Sequence, residues 1–427
     1  MTIDLTFGWP TDQLTTDPHL AYNNISKTFC RHIYESLLDV DPATGELLPW
    51  LATSWRYLDP LTLELAIRPH VRFSDGAALT PADVVRSFME IKELRHVSPV
   101  PAAVTMLTGL ERAEAGSTTV TFHFTRHNAA LLRSLASVNL AISKAGVGTG
   151  RWTASGTDLI DGPRRVRFRK VDDPTAADIY AGHVDGLHVT ALHNPGISYG
   201  LCANVSRGPL ADPRVRRALS LLIDRPRLEP VLASTGYTVA SSVLTPSTID
   251  YRDCTTELAY DPHTAHQLLS AAGCAELSFN VVFNSTFSPV DTAVLAAVAA
   301  QWAEHGITLV LNDVDFSELR ARQESGDYDF RFFYFTGADP DVLRYQFAVT
   351  QRNMNHRNGV DDIDHLLDAQ LSCADADQRR ALVHDIQHRI ITAGLWLPIC
   401  NVRTVTSHRP GALSGVSLDT EALTRIS

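Results

Sequence analysis

Apolar and polar residues alternate from the first positions of the chain: in MTIDLTFGWP, Ile3, Leu5 and Phe7 are interleaved with Thr2, Asp4 and Thr6. A period of two is the pattern of a strand with one buried face. The alternation returns at Leu61, Leu63, Leu65 and Ile67 and continues through Val71 and Phe73 to the turn Ser74-Asp75-Gly76. It recurs in TTVTFHFT near Val120 and RRVRFRKV near Val166, each predicting a strand. Helical spacing is interleaved with these. Thr80 is placed to cap a helix, Pro81 takes its first position, Asp83 completes a capping-box spacing, and Val84, Val85, Phe88 and Ile91 share a face. Asp212-Pro213 and Asp261-Pro262 repeat the device. The first precedes the stripe Val215, Ala218, Leu219, Leu222 and Ile223; the second precedes Ala265, Leu268, Leu269 and Ala272, with Gly273 as the stop.

The next stretch is a regular unit. It reads as a strand at Phe279 to Phe283, a helix from Pro289 to His305 with Val294, Leu295, Val298 and Trp302 inward, and a second strand carrying Ile307, Leu309 and Leu311. A short helix, Phe316 to Ser325, and a third strand, Tyr328 to Phe335, complete it. Strand and helix alternating at this spacing predict an α/β unit with a parallel sheet and right-handed crossovers. Ligands of such sheets bind beyond the carboxyl ends of the strands. Two loops are thereby singled out, Asn284 to Ser288 and Thr336 to Asp341, with Asn284 and Phe335 at their margins as candidate contacts. The second loop ends an aromatic run with two acids, Asp339 and Asp341. Acids beside proline are common turn chemistry. They also suit an amine, because an enclosed carboxylate loses hydration that only a cation restores.

Composition narrows the partners. At 427 residues the chain has room for two or three domains, and its 44% apolar and 20% charged residues are ordinary for a globular protein. No window approaches the ~18 to 20 apolar residues of a membrane span. A formal charge of −11 disfavours nucleic acid and anionic lipid. The start lacks the basic end, apolar block and cleavage site of a secretory signal, which predicts a cytoplasmic protein as written; an extracytoplasmic one requires that the signal was removed. Cys30, Cys202, Cys254, Cys274, Cys373 and Cys400 form no C-x-x-C pair and read as thiols, although an oxidising compartment would allow Cys254 and Cys274 to bridge. His384 and His388 stand one helical turn apart without a third ligand, so no metal site is expected, and no cofactor fingerprint is present. Nor is there a G-x-S-x-G elbow, a phosphate loop or H-E-x-x-H, so no catalytic residue is assigned.

Several segments, in order, carry a resemblance: DPHLA (17–21), IYESLLDVDPATGELLPWLATSW (33–55), VRFSDGAALTPADVVRSF (71–88), DPRVRRALSLLIDR (212–225), YDPHTAHQLLSAAG, GDYDF (326–330) and LWLPI (395–399). Together they resemble the peptide, nickel and opine class of solute-binding proteins that serve ABC importers, extracellular solute-binding protein family 5. The resemblance implies a two-lobed, type II periplasmic-binding-protein-like clamshell with mixed sheets. The first lobe would hold residues 1–198 and 405–427, with a β-rich subdomain at about 40–145, the second 199–404, with hinges at 199–205 and 398–404. It further implies a monomer that closes on its ligand and meets an ABC permease. An acid of the Asp339–Asp341 tract would receive the ligand's α-amino group, His19, Tyr22 and Asn24 would line the cleft, and Trp152, after G-T-G, would line it or serve the core. The chain departs from its relatives in being shorter, in lacking an export signal and lipid-anchoring cysteine, and in compressing their W-x-A-D-x-x-D-P tract to FTGADPD. Two functions remain open: capture of a short peptide or amine-bearing small molecule for an importer, or the same scaffold turned to biosynthetic catalysis or ligand sensing.

Overall fold

The computed structural model describes residues 3–10, 14–41, 44–97, 100–192, 195–233, 237–274, 276–285, 290–410, 415–419 and 423–426. Packing divides the chain into two compact units: Met1–Leu192 with Leu371–Ala376 and Thr404–Ser427, and His193–Gln370 with Asp377–Arg403.

In the first unit, the opening alternation becomes the strand Ile3–Trp9, flanked in parallel by Arg164–Lys170 and Ile179–Tyr180 within a seven-stranded sheet. Leu5 and Phe7 point into a core shared with Phe29, Ile33, Trp152 and Val166, where the Phe7 and Phe168 rings stack at 4.6 Å. A second, antiparallel sheet orders Ala52–Asp59, Thr62–Ile67, Thr119–Phe124 and Leu110–Ala115. Its apolar face, including Leu63, Leu65, Val120 and Phe122, shares a core with Val84, Phe88 and Ile91 of the helix Pro81–Glu93. That helix starts as the sequence predicts: Asp83 N–H donates to Thr80 Oγ1 at 3.3 Å and Thr80 N–H donates to Asp83 Oδ2 at 2.9 Å, so two otherwise orphaned donors are satisfied reciprocally. Leu61 departs from the predicted strand. Its N–H is taken by Asp59 Oδ1 at 2.8 Å in the turn, and the side chain is 38% exposed.

The second unit is built on a six-stranded mixed sheet. Leu277–Phe283 pairs in parallel with Ile307–Asp313 on one side and with Phe330–Thr336 on the other. The chain thus moves outward by one crossover and returns across its first strand by the next, which creates a topological switch point at the carboxyl ends of Leu277–Phe283 and Phe330–Thr336. Pro289, the expected first residue of the first crossover helix, lies outside the described residues; the helix is described as Val290–Ala303. Phe330–Thr336 also pairs antiparallel with Ile197–Ala203, and that strand with Trp396–Val402. The segments expected as hinges, 199–205 and 398–404, therefore lie largely within strands of this sheet, and the division between units falls at 192/193, 370/371, 376/377 and 403/404. Both faces around Phe330–Thr336 are covered. Phe330 and Phe332 join Leu201, Val281, Phe279 and Trp302 on one side, while Phe333 and Phe335 join Cys202, Phe347, Ile390 and Trp396 on the other. Burial on two faces is why this strand reads FRFFYFT rather than as an alternation.

Candidate functional site

The loop after Phe330–Thr336 occupies the switch point of the second unit. Two bonds from a neighbouring segment fix its backbone: Thr248 Oγ1 donates to Gly337 O at 2.7 Å and Ile249 N–H to Ala338 O at 3.3 Å. Asp339 then turns the chain by accepting the Asp341 N–H at 2.8 Å. Its carboxylate also accepts Arg379 Nη2 at 2.6 Å and Nη1 at 3.1 Å. Asp341 accepts Arg344 Nε and Nη2, each at 2.7 Å, and Gln370 Nε2 at 2.8 Å. Gln370 closes the circuit by accepting Arg379 Nε on its Oε1 at 3.1 Å. Two carboxylates and two guanidinium groups so form one network, with side-chain exposures of 12% for Asp339, 9% for Arg379, 11% for Asp341 and 2% for Arg344. Burial pushes the Asp341 carboxyl above its ordinary range while Arg344 pulls against it. Burial also opposes the charge on Arg379, but Asp339 overcomes this and raises it.

The expectation of an open carboxylate for a ligand ammonium at Asp339 or Asp341 thus meets two acids already neutralised within their own unit. Neither arginine was anticipated from the sequence: Arg344 lies three positions beyond Asp341, and Arg379 arrives from the first turns of the helix Ala376–Thr392, 40 positions away. Asn284 is nearly buried and donates its Nδ2–H to Val314 O at 2.6 Å, tying the ends of two parallel strands together. Residues 286–288 of its loop lie outside the described residues. Phe335 is core: it meets Trp396 at 5.1 Å and the edge of Phe347 at 6.3 Å.

In the first unit, His19, Tyr22 and Asn24 lie on one short segment. Asp17 caps the single turn Pro18–Leu20, and Asn139 clamps both ends of that turn by donating Nδ2–H to Pro18 O and Ala21 O, both at 2.8 Å. His19 is 6% exposed; its Nδ1 lies 3.0 Å from Asn139 O and donates to it, and its Nε2 is buried with no hydrogen-bond partner among the described residues. Tyr22 is 54% exposed, and Asn24 opens the helix Asn24–Ile33 behind the cap Asn23. Trp152 is 2% exposed and meets the edge of His32, so its surroundings are those of a core residue. Asn139, Thr248, Gln370 and Arg379 were not anticipated; each acts through a bond to a segment distant in sequence. None of the six cysteines is joined in a disulfide. His388 Nδ1 faces Glu257 Oε1 at 3.0 Å, and among the described residues no three His, Cys, Asp or Glu side chains gather as metal ligands. Among the same residues no helix is long and apolar enough to cross a membrane.

Comparison with known proteins places this arrangement. A dipeptide-binding protein from Pseudoalteromonas sp. SM9913, solved in complex with Met-Leu, superposes with a TM-score of 0.84 at 15% identity, covering 99% of this chain and 100% of that one. At that identity the likeness shows the fold, a type II periplasmic binding protein. The probable di/tripeptide-binding protein 5 of Pseudomonas aeruginosa is 28% identical over 205 residues, 46% of this chain. The match spans only 39% of that relative's length. The nickel-binding periplasmic protein of Escherichia coli is 23% identical over 95% of this chain and 90% of its own. A family profile, described as bacterial extracellular solute-binding proteins, family 5 Middle, matches residues 46–178 and 169–355, more than half of the chain. The chain belongs to the family 5 bacterial extracellular solute-binding proteins.

Proposed function

We propose that this protein captures a short peptide, or a solute of similar size, outside the cytoplasm and delivers it to an ABC importer as a monomer. The observation that carries the reading is family membership along a chain whose second unit keeps a parallel switch point with an ordered loop beyond it. Relatives named for di- and tripeptides support the solute class, and the periplasmic relative supports the location. His19 is assigned to solute contact, since its buried Nε2 has no partner among the described residues and buried polar atoms are as a rule hydrogen-bonded. Asp339 and Asp341 are assigned to shaping the loop. Each acid is already matched in charge by a bidentate arginine, so an ammonium there would add a second cation to one carboxylate or displace the arginine and leave its guanidinium uncompensated.

Calorimetry with di- and tripeptides in matched free and N-acetylated forms tests both parts. One-to-one binding in which acetylation weakens affinity by less than about tenfold, or roughly 1.4 kcal/mol, is expected. A larger loss that disappears in Asp339→Asn would return the ammonium to that acid. Absence of binding by every peptide would remove the solute class.

A further inference from the structure

Arg331 is fully buried, and none of its three side-chain nitrogens has a hydrogen-bond partner among the described residues. It belongs to the strand Phe330–Thr336, where alternation places it on the face of Phe333 and Phe335. Its Cζ lies 4.1 Å from the Phe333 ring centroid, and Arg352 Cζ lies 4.7 Å from the same centroid. Two guanidinium groups thus share one aromatic ring. Among the described residues the Arg352 guanidinium donates to neutral amides alone, Gln346 Oε1 at 3.0 Å and Gln323 Oε1 at 3.4 Å. Among the described residues, neither arginine forms an ion pair with a carboxylate.

Other buried arginines of this unit are provided for. Arg344 and Arg357 face Asp341 and Asp364, and Arg225 donates to the carbonyls of Pro398, Ser220 and Leu258. The groups nearest Arg331 that could supply a negative charge do not. Cys202 Sγ and Tyr328 Oη both donate to Met354 O, at 3.3 and 3.1 Å, so each keeps its proton. Burial pushes the Cys202 thiol up to about 12, and the guanidinium groups only moderate that. His356 donates Nε2–H to Gln323 O at 3.0 Å, and burial lowers its pKa, so it adds no charge. Phe333, Tyr345, Gln323 and Arg352 are only half-buried, which gives the cluster a rim open to solvent.

A guanidinium removed from water beside a second, half-buried one, with no counter-charge, is strongly unfavourable, and a guanidinium fork matches the paired oxygens of an oxyanion. We propose that Arg331 and Arg352 form a binding site for a small oxyanion, a carboxylate or phosphate-type group lying against Phe333. The site neither rests on nor restates the capture of a peptide.

The test is thermal unfolding and calorimetry of the full chain, dialysed to low ionic strength and titrated separately with inorganic phosphate, sulfate and acetate. At least one anion should give a saturable rise in midpoint, and its relative affinities distinguish tetrahedral from planar oxyanions. Arg352→Gln, at a half-buried position with amide partners, should weaken that binding roughly tenfold to a hundredfold, and Arg331→Met should abolish it. General salting-out also stabilises, but it does not saturate and persists in both variants. A response of that second kind alone, or saturable binding unchanged in Arg352→Gln, overturns the proposal.

Discussion

Replacing Asp341 by Asn should destabilise the second unit severely although the side chain keeps its shape. In the native network Asp341 takes two bonds from Arg344 at 2.7 Å and one from Gln370 at 2.8 Å, and Arg344 is only 2% exposed. Asparagine removes the charge and sets an NH2 group against a guanidinium donor. The loss is that of a buried charge left unpaired, about 3 to 5 kcal/mol, which is a large part of the ~5 to 15 kcal/mol that holds a typical domain. Urea unfolding followed by tryptophan fluorescence, to which Trp302 and Trp396 of this unit contribute, reads the effect. The midpoint should fall by more than about 1 M if the slope is near 3 kcal/mol/M. Asp341→Asn combined with Arg344→Gln should recover much of the loss, because removing both members of a buried pair leaves no orphaned charge. An Asn variant within about 0.5 kcal/mol of the parent, or a double variant no better than the single, would refute the reasoning.

Three further expectations rest on single contacts. His32 is buried, accepts the Ile426 N–H on Nε2 at 2.9 Å and is held by burial at about 4, well below its ordinary 6.5. The unfolded chain therefore binds the proton more readily. Stability is full above about pH 6.5 and falls as pH drops towards 4, by roughly 3 kcal/mol for this group alone, and denaturant titrations across that range should show a shallower slope in His32→Asn. Thr80→Ala removes the cap of Pro81–Glu93 and should cost about 1 kcal/mol in the same assay; no change would mean that packing alone sets the helix start. Phe335→Ala should cost about 3 to 5 kcal/mol by leaving a cavity beside Trp396 and Phe347, and a variant of unchanged stability but lost solute binding would reassign Phe335 to the site.

Features specified locally could be read from the sequence. The capping box at Thr80 and Asp83, the Asp-Pro starts before Val215 and Ala265, and the parallel strands around Val281 are each specified within a few residues, and the structure shows them. Leu61 misled because alternation continues into a turn that Asp59 controls. The acid tract was placed correctly at the end of its strand, yet its chemistry depends on Arg379 and Gln370, brought in by helices far along the chain. Position came from the order of strands and helices; occupancy of the carboxylates came from tertiary pairing, which that order does not encode. His19 shows the converse, since a buried Nε2 with no partner among the described residues is visible only once Asn139 is seen to hold the other ring nitrogen.

Native mass spectrometry of the full chain, incubated with an equimolar set of di- and tripeptides, addresses the central claim most directly. Solute capture predicts a one-to-one adduct with one or a few peptides, displaced by excess of the preferred one and recovered chemically unchanged after denaturation. Recovery of an altered peptide, or the absence of any adduct across the set, would contradict it.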